Sequence, residues 1–277
     1  MVATALKVEE WNEEGKNQGF LFKKIGESHS DLRKENFAVG YMNSIIEKKL
    51  RDHKRIICID GTHGTNRKEY ELTTVLVKDD ENMGFPVAFL VSNRRDQTIQ
   101  EVFFKELKEK LGEDIDAEFL MSDDDPKYYN AWIKEMKTDK KPRRLLCTWH
   151  IIKNWNIQGK SKLKKQENRS QMKKEMRKIL TETKIEKFIE LKEKYLGHLK
   201  EEGEVDFLTY LEKYYFQSEE RIMAWAHCYR IGVGINTNMA IESLNKVLKH
   251  NKMHGNRNIR IEKLLDLLEE LVEEDCK

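Results

Sequence analysis

Three acidic residues stand where acids commonly do chemistry. Asp60 ends the apolar run Ile56-Ile57-Cys58-Ile59, and Asp123 ends a second, Phe119-Leu120-Met121-Ser122. Glu242 lies much later, inside the helical stretch Asn236-Thr237-Asn238-Met239-Ala240-Ile241-Glu242-Ser243-Leu244-Asn245. Two strand-end aspartates and a helical glutamate are the set that two-metal phosphoryl transfer needs. Carboxylates hold Mg²⁺ (or Mn²⁺), which activates the attacking oxygen and stabilises the leaving one. The requirement is that all three converge in space.

Each acid also has an ordinary reading. Asp60 precedes Gly61-Thr62-His63-Gly64-Thr65-Asn66. An aspartate there often forms a turn or caps a helix, and Gly61 lets the backbone turn sharply. Asp123 opens Asp123-Asp124-Asp125, in which Asp125 best fits a helix N-cap with Pro126 at the first helical position. Three consecutive acids repel unless a positive charge is near, and a metal would supply one. Asp124 is the fallback ligand. Glu242 shares its helical side with Asn245, Lys246 and Lys249, and a plain Glu242–Lys246 surface pair is worth ~0.3–0.5 kcal/mol. The functional alternative puts Glu242 on a metal and the two lysines on phosphates.

The elements that must position these acids read as follows. Residues 19–25 predict a short strand and 37–50 a helix, with Phe37, Tyr41, Met42, Ile45, Ile46 and Leu50 at helical spacing. Residues 55–60 predict a buried strand, and 70–77 with 85–92 a hairpin. A helix over 97–111, a strand over 117–122, a helix over 126–137 and a strand over 145–148 follow. The next helix carries Trp149, Ile152 and Trp155. Three strands that can pair antiparallel, then helix, strand, helix, strand, is the order of an RNase H-like fold, and other α/β folds share parts of it. From about 156 to 235 the chain reads as helical, over 166–180, 184–199, 205–216 and 218–230. Two last helices fall near 237–251 and 258–275. Without a Ser/Gly-rich linker, the helical part reads as an insertion within the first fold. The expected organisation is a lead-in over 1–54 packed on the core, core over 55–155, insertion over 156–235, and closing helices over 236–277.

Composition bounds the class. The 277 residues are 39% hydrophobic, enough for a sizeable core. Lys+Arg 51 against Asp+Glu 49 leaves net charge uninformative about nucleic acid, so only local patches count. There is no run of 18 apolar residues and no apolar signal-peptide core, so no membrane association is expected. Cys58, Cys147, Cys228 and Cys276 have no paired spacing, which suits a reduced, intracellular protein.

The chain resembles the catalytic region of Mutator-like element (MULE) transposases. The resemblance rests on the segments 56–66, 84–94, Met121-Ser122-Asp123-Asp124, Tyr129-Asn130-Ala131-Trp132, Leu145-Leu146-Cys147-Thr148-Trp149-His150, Trp225-Ala226-His227-Cys228-Tyr229-Arg230 and Asn236-Thr237-Asn238-Met239, in the family's order and over about 1–270. It implies an RNase H-like fold of the retroviral-integrase superfamily, with a large all-helical insertion before the last catalytic helix. It places the family's DDE acids on Asp60, Asp123 and Glu242, with Asp60 bridging two Mg²⁺ ions and each other acid completing one. It implies Mg²⁺-dependent cleavage at transposon ends, strand transfer to target DNA, a nuclear location, a homo-oligomer, and no organic cofactor. Lys246, Lys249, His63 and Asn66 are the expected DNA contacts.

The family's Cys-x-x-His element falls on Cys147 and His150. A closed Zn²⁺ site there needs two further ligands, which His227 and Cys228 could supply; the ordinary reading is a buried cysteine beside a hydrogen-bonded histidine. Trp132, Trp149, Trp155 and Trp225 read as core. The basic runs 140–144 and 160–165 read as solvated surface or as phosphate contacts. No zinc-finger spacing occurs at either end, although the family's complete transposases carry such modules. A domesticated or truncated, non-catalytic DNA- or protein-binding module therefore stands as the competing function. An RNase H-type hydrolase shares the acids but not the long helical insertion or the Asn236–Met239 motif.

Overall fold

The computed structural model describes residues 2–79, 81 and 83–275; Met1, Asp80, Asn82, Cys276 and Lys277 lie outside them. The chain divides into two compact units, one made of Met1–Arg143 with Asn238–Lys277, the other of Arg144–Thr237.

The first unit opens with α1 (Val2–Asn12) and the short strand β1 (Leu21–Lys23), followed by β2 (Ala38–Tyr41) and α2 (Ser44–Asp52). The helix expected over 37–50 is therefore two elements. Phe37, Ala38, Val39, Tyr41 and Met42 are all buried, as in a strand covered on both faces, and such a run carries no period that separates strand from helix. Asn43 makes the break: its side chain accepts from the backbone N–H groups of Ile45 and Ile46 and caps α2.

β3 (Ile56–Thr62), β4 (Glu71–Lys78) and β5 (Gly84–Ser92) form an antiparallel meander, and α3 (Gln97–Leu111) leads to β6 (Phe119–Ser122). β6 lies parallel to β3, with Cys58 opposite Met121. β3 runs past Asp60, which pairs with Thr74 of β4, so Asp60 lies inside the strand and does not end it. α3 begins under the Asp96 side chain, which accepts from Ile99 N–H, and ends at Gly112 with φ 71°. α4 (Lys127–Glu135) follows, with Pro126 at its cap position. The chain leaves this unit along β7 (Arg143–Leu146), the last strand of the seven-stranded order β1-β2-β5-β4-β3-β6-β7. The core beneath the sheet is aromatic, with Phe103, Phe104 and Trp132 fully buried.

The second unit is helical: α5 (Thr148–Lys162), α6 (Gln166–Thr181), α7 (Ile185–Glu201), α8 (Val205–Tyr214) and the short α9 (Glu219–Met223). The continuous helix expected over 218–230 is instead α9, an extended residue at Ala226 and a 3₁₀ turn over His227–Tyr229. The buried Arg230 explains the break. Its guanidinium donates to the carbonyls of Leu146, Ala224 and Asn236, and of these an unbroken helix would have consumed that of Ala224. Trp155, Trp225 and Tyr215 meet edge to face, with 5.5 Å between the two indoles. Trp149, expected in the core, is 44% exposed. It stands two residues before Ile151, more than half a turn round the helix, and so on the other side of α5 from the buried Ile151 and Trp155.

The chain returns to the first unit with α10 (Met239–Lys246), a π-helical turn over Val247–Lys252 and α11 (Ile261–Asp275). α11 meets α1 through Lys7, which pairs with Glu269 at 2.8 Å and Asp266 at 3.3 Å. No helix among the described residues is long and apolar enough to cross a membrane.

Candidate active site

The register of two parallel strands brings the aspartates together. Cys58 is opposite Met121, and Asp60 and Asp123 each lie two residues further on. Side chains alternate along a strand, so both carboxylates leave the sheet on the face of Cys58 and Met121. α10 packs against β3 and β5. Its close approach depends on a glycine: a Cβ on Gly84 would stand 2.5 Å from Ala240 Cβ. α10 carries Ala240 against the sheet and Glu242 two residues on, with Glu242 N–H donating to Asn238 C=O at 3.0 Å.

The electrostatics are those of crowded acids. Asp60 is partly buried, and its pKa is pushed up to about 7, first by burial and then by the charge of Asp123, with Glu242 and Glu71 adding to it. The Gly61 N–H, donated to Asp60 Oδ1 at 3.0 Å, opposes the shift. The Asp123 carboxyl is raised too, chiefly by burial, although it accepts Asp125 N–H at 3.1 Å. Asp125 in turn accepts Lys127 N–H at 2.9 Å, at the start of α4. Burying like charges this close is unfavourable unless a cation joins them. The donors are all carboxylate oxygens, which suits a hard cation such as Mg²⁺ or Mn²⁺.

Several residues that sequence reasoning passed over complete this region. Glu71, 5% exposed at the start of β4, sits between His63 Nε2 at 3.4 Å and Lys127 Nζ at 3.3 Å. Lys127 also donates to Arg95 C=O at 3.1 Å. Tyr128 is buried over Gly61, where a Cβ would stand 2.5 Å from its hydroxyl and 3.0 Å from Glu71 Oε1. Gly61 is thus required for space and not for a sharp turn. The signal for Glu71 was present: one acid at the head of the alternating run Glu71-Leu72-Thr73-Thr74-Val75.

The basic residues divide. Lys249 Nζ donates to Thr62 Oγ1 at 2.5 Å. Its pKa is lowered by burial and by Arg257, with Asp60 pulling the other way. Lys246 is exposed and His63 half-exposed. Asn66 is fully buried. Its amide accepts from Lys68 and Tyr70 N–H and donates to Tyr70 C=O, so it builds the loop and has no surface for a phosphate.

Cys147, at the cap position of α5, is buried, and His150 follows one turn on with its pKa lowered by burial and by Lys153. His227 is engaged with Thr148 Oγ1 at 3.2 Å. Among the described residues, neither His227 nor Cys228 is grouped with Cys147 and His150.

The family model of the MULE transposase domain matches residues 56–154. That stretch holds Asp60, Glu71, Asp123 and Lys127, while Glu242 lies beyond it. Over those residues the chain is similar to that domain. No curated protein matches the chain.

Proposed function

We propose that this protein is a DNA transposase, or derives from one, and that Asp60, Asp123 and Glu242 are the DDE ligands of a divalent-metal phosphodiester-cleaving and strand-transfer site. The observation that carries this reading is the parallel register of β3 and β6, which sets Asp60 and Asp123 at matching positions two residues beyond Cys58 and Met121, with the helix that bears Glu242 packed on β3. An RNase H-like core is supported by the meander β5-β4-β3 followed by parallel β6 across α3. Bound Mg²⁺ or Mn²⁺ would supply the Lewis acidity that sharpens the attacking oxygen and stabilises the leaving one.

The residues of the chain do the positioning. In this reading Asp60 and Asp123 would offer oxygens from the ends of two neighbouring strands, and Glu242 would complete the set from α10. Pre-placed charge of this kind is the main source of rate in phosphoryl transfer. Lys249, tied to Thr62 beside Asp60, is placed to receive a phosphate oxygen, with His63 and Lys246 as outer contacts. Glu71, held by Lys127 and His63, fixes the floor under Gly61. Nuclear action on transposon ends and target DNA, by a multimer that pairs two ends, belongs to this reading.

The test is nicking of supercoiled plasmid in Mg²⁺. Asp60→Asn, Asp123→Asn and Glu242→Gln should each lower the rate by about 10³-fold or more. Nicking by the purified protein that is indifferent to all three substitutions overturns the assignment.

A further inference from the structure

The chain as a whole is nearly balanced in charge, but residues 148–181 are not: they hold ten lysines and arginines against two glutamates. This is the α5–α6 pair of the second unit. Between the two helices runs a groove made of two adjoining hollows of about 280 and 330 Å³, which share Asn156, Met172 and Lys173. Its floor is Trp155, Met172 and Met176, and its rim carries Lys160, Arg169, Lys173 and Arg177. No acid lines it.

The rim charges are not consumed by the fold. Lys160, Lys173 and Arg177 are exposed and have no acidic partner among the described residues. Arg169 is bonded to Leu163 C=O and serves as a fixed positive post. Arg169, Lys173 and Arg177 recur every fourth residue, so they form one stripe along α6 with a rise of about 6 Å between charges. Such a stripe spans about three phosphates of a single strand in a duplex, whose charges lie ~3.4 Å apart along the axis.

We infer that the α5–α6 groove is a second nucleic-acid contact, which grips the phosphodiester backbone of duplex DNA without reading its sequence. Lysine and arginine at regular spacing along the rim suit phosphates, whatever the base sequence between them. The charge argument stands apart from the carboxylate site; the choice of DNA among polyanions rests on the transposase reading.

The experiment uses the full chain and a labelled duplex of scrambled sequence, followed by fluorescence anisotropy over a range of salt. Lys160→Ala/Lys173→Ala/Arg177→Ala should weaken binding at least tenfold near ~0.1 M salt and lower the salt slope by about 2.7, at ~0.9 per phosphate contact. Lys173→Arg should bind as the parent does, and circular dichroism should give one melting curve for all three proteins. Unchanged affinity and slope in the triple variant overturn the inference. So does binding that moves to phosphatidylserine vesicles or polyglutamate while DNA is ignored. Asp60→Asn separates the two claims: it should abolish nicking and leave this binding intact, so a failed groove and a failed catalytic site give different patterns.

Discussion

Asp60 is the residue on which the site turns, and its environment makes an unusual prediction. Without metal, burial and the neighbouring acids push the Asp60 carboxyl up to about 7, against 3.8 for the free side chain. Between those values the folded protein holds a proton that the unfolded chain has lost, so stability falls as pH rises through that window. Above it the carboxylate costs about 4 kcal/mol, at ~1.4 kcal/mol per unit. Asp60→Asn should therefore melt higher than the parent in metal-free buffer near pH ~8, with the gap closing near pH ~4. A parent that equals or exceeds the variant at pH ~8 contradicts this placement of the charges. Gly61 makes a companion prediction. A methyl group there meets Tyr128 and Glu71, so Gly61→Ala should cost about 1–3 kcal/mol in chemical denaturation, and no loss would mean the contact is slack. Residue types alone pointed to Asp60, Asp123 and Glu242. They could not reveal Glu71 or Tyr128, whose roles depend on which side chains crowd one glycine. Nor could they show that Asn66 faces inward, because a buried turn amide and an exposed DNA contact look the same in one dimension.

At the scale of elements, α3 and the β4–β5 hairpin were legible to within a residue or two. Their period, the Asp96 cap and Gly112 all agree. β2 was not, since a strand buried on both faces carries no alternation. The π-helical turn after α10 was also hidden. It follows the helix that bears Glu242 and contains Lys249, where a wider turn re-aims side chains that regular spacing would place elsewhere. In the helical unit the informative residue is Glu204, fully buried just ahead of α8. Its carboxylate accepts Lys164 N–H at 2.8 Å, Lys165 N–H at 3.1 Å and Asn168 Nδ2 at 2.8 Å, and so caps α6 from a distant segment. These bonds lower its pKa against the opposing effect of burial. A depressed carboxyl contributes stability above its unfolded pKa and loses it as pH falls through the folded value. Glu204→Gln should thus cost about 2 kcal/mol near neutrality, and the difference should shrink below pH ~4 in urea melts. A pH-independent difference would point to lost shape instead of lost charge.

For the whole molecule, the helical character of the second half was readable from its charged amphipathic segments; the units divide at Arg143/Arg144 and Thr237/Asn238, against the 155/156 and 235/236 read from pattern. Pattern put the first seam at the end of α5's leading turns, because α5 follows a strand without a linker. The second unit has its own aromatic core around Trp155 and Trp225. Thr148 N–H donates to Asn236 C=O at 3.0 Å, so its ends lie side by side. A fragment of residues 144–237 should therefore fold alone and melt cooperatively by circular dichroism; a featureless melt would show that it depends on the rest of the chain.

The most direct test of the central claim is calorimetric titration of Mn²⁺ into the full chain near pH ~7, beside Asp60→Asn, Asp123→Asn and Glu242→Gln. Metal must displace the proton that Asp60 holds, so binding should release about half a proton, seen as a buffer-dependent enthalpy. The account predicts that each variant loses binding and that Asp60→Asn loses the proton release with it. Equal metal binding by the parent and all three variants would mean that these carboxylates do not form a metal centre.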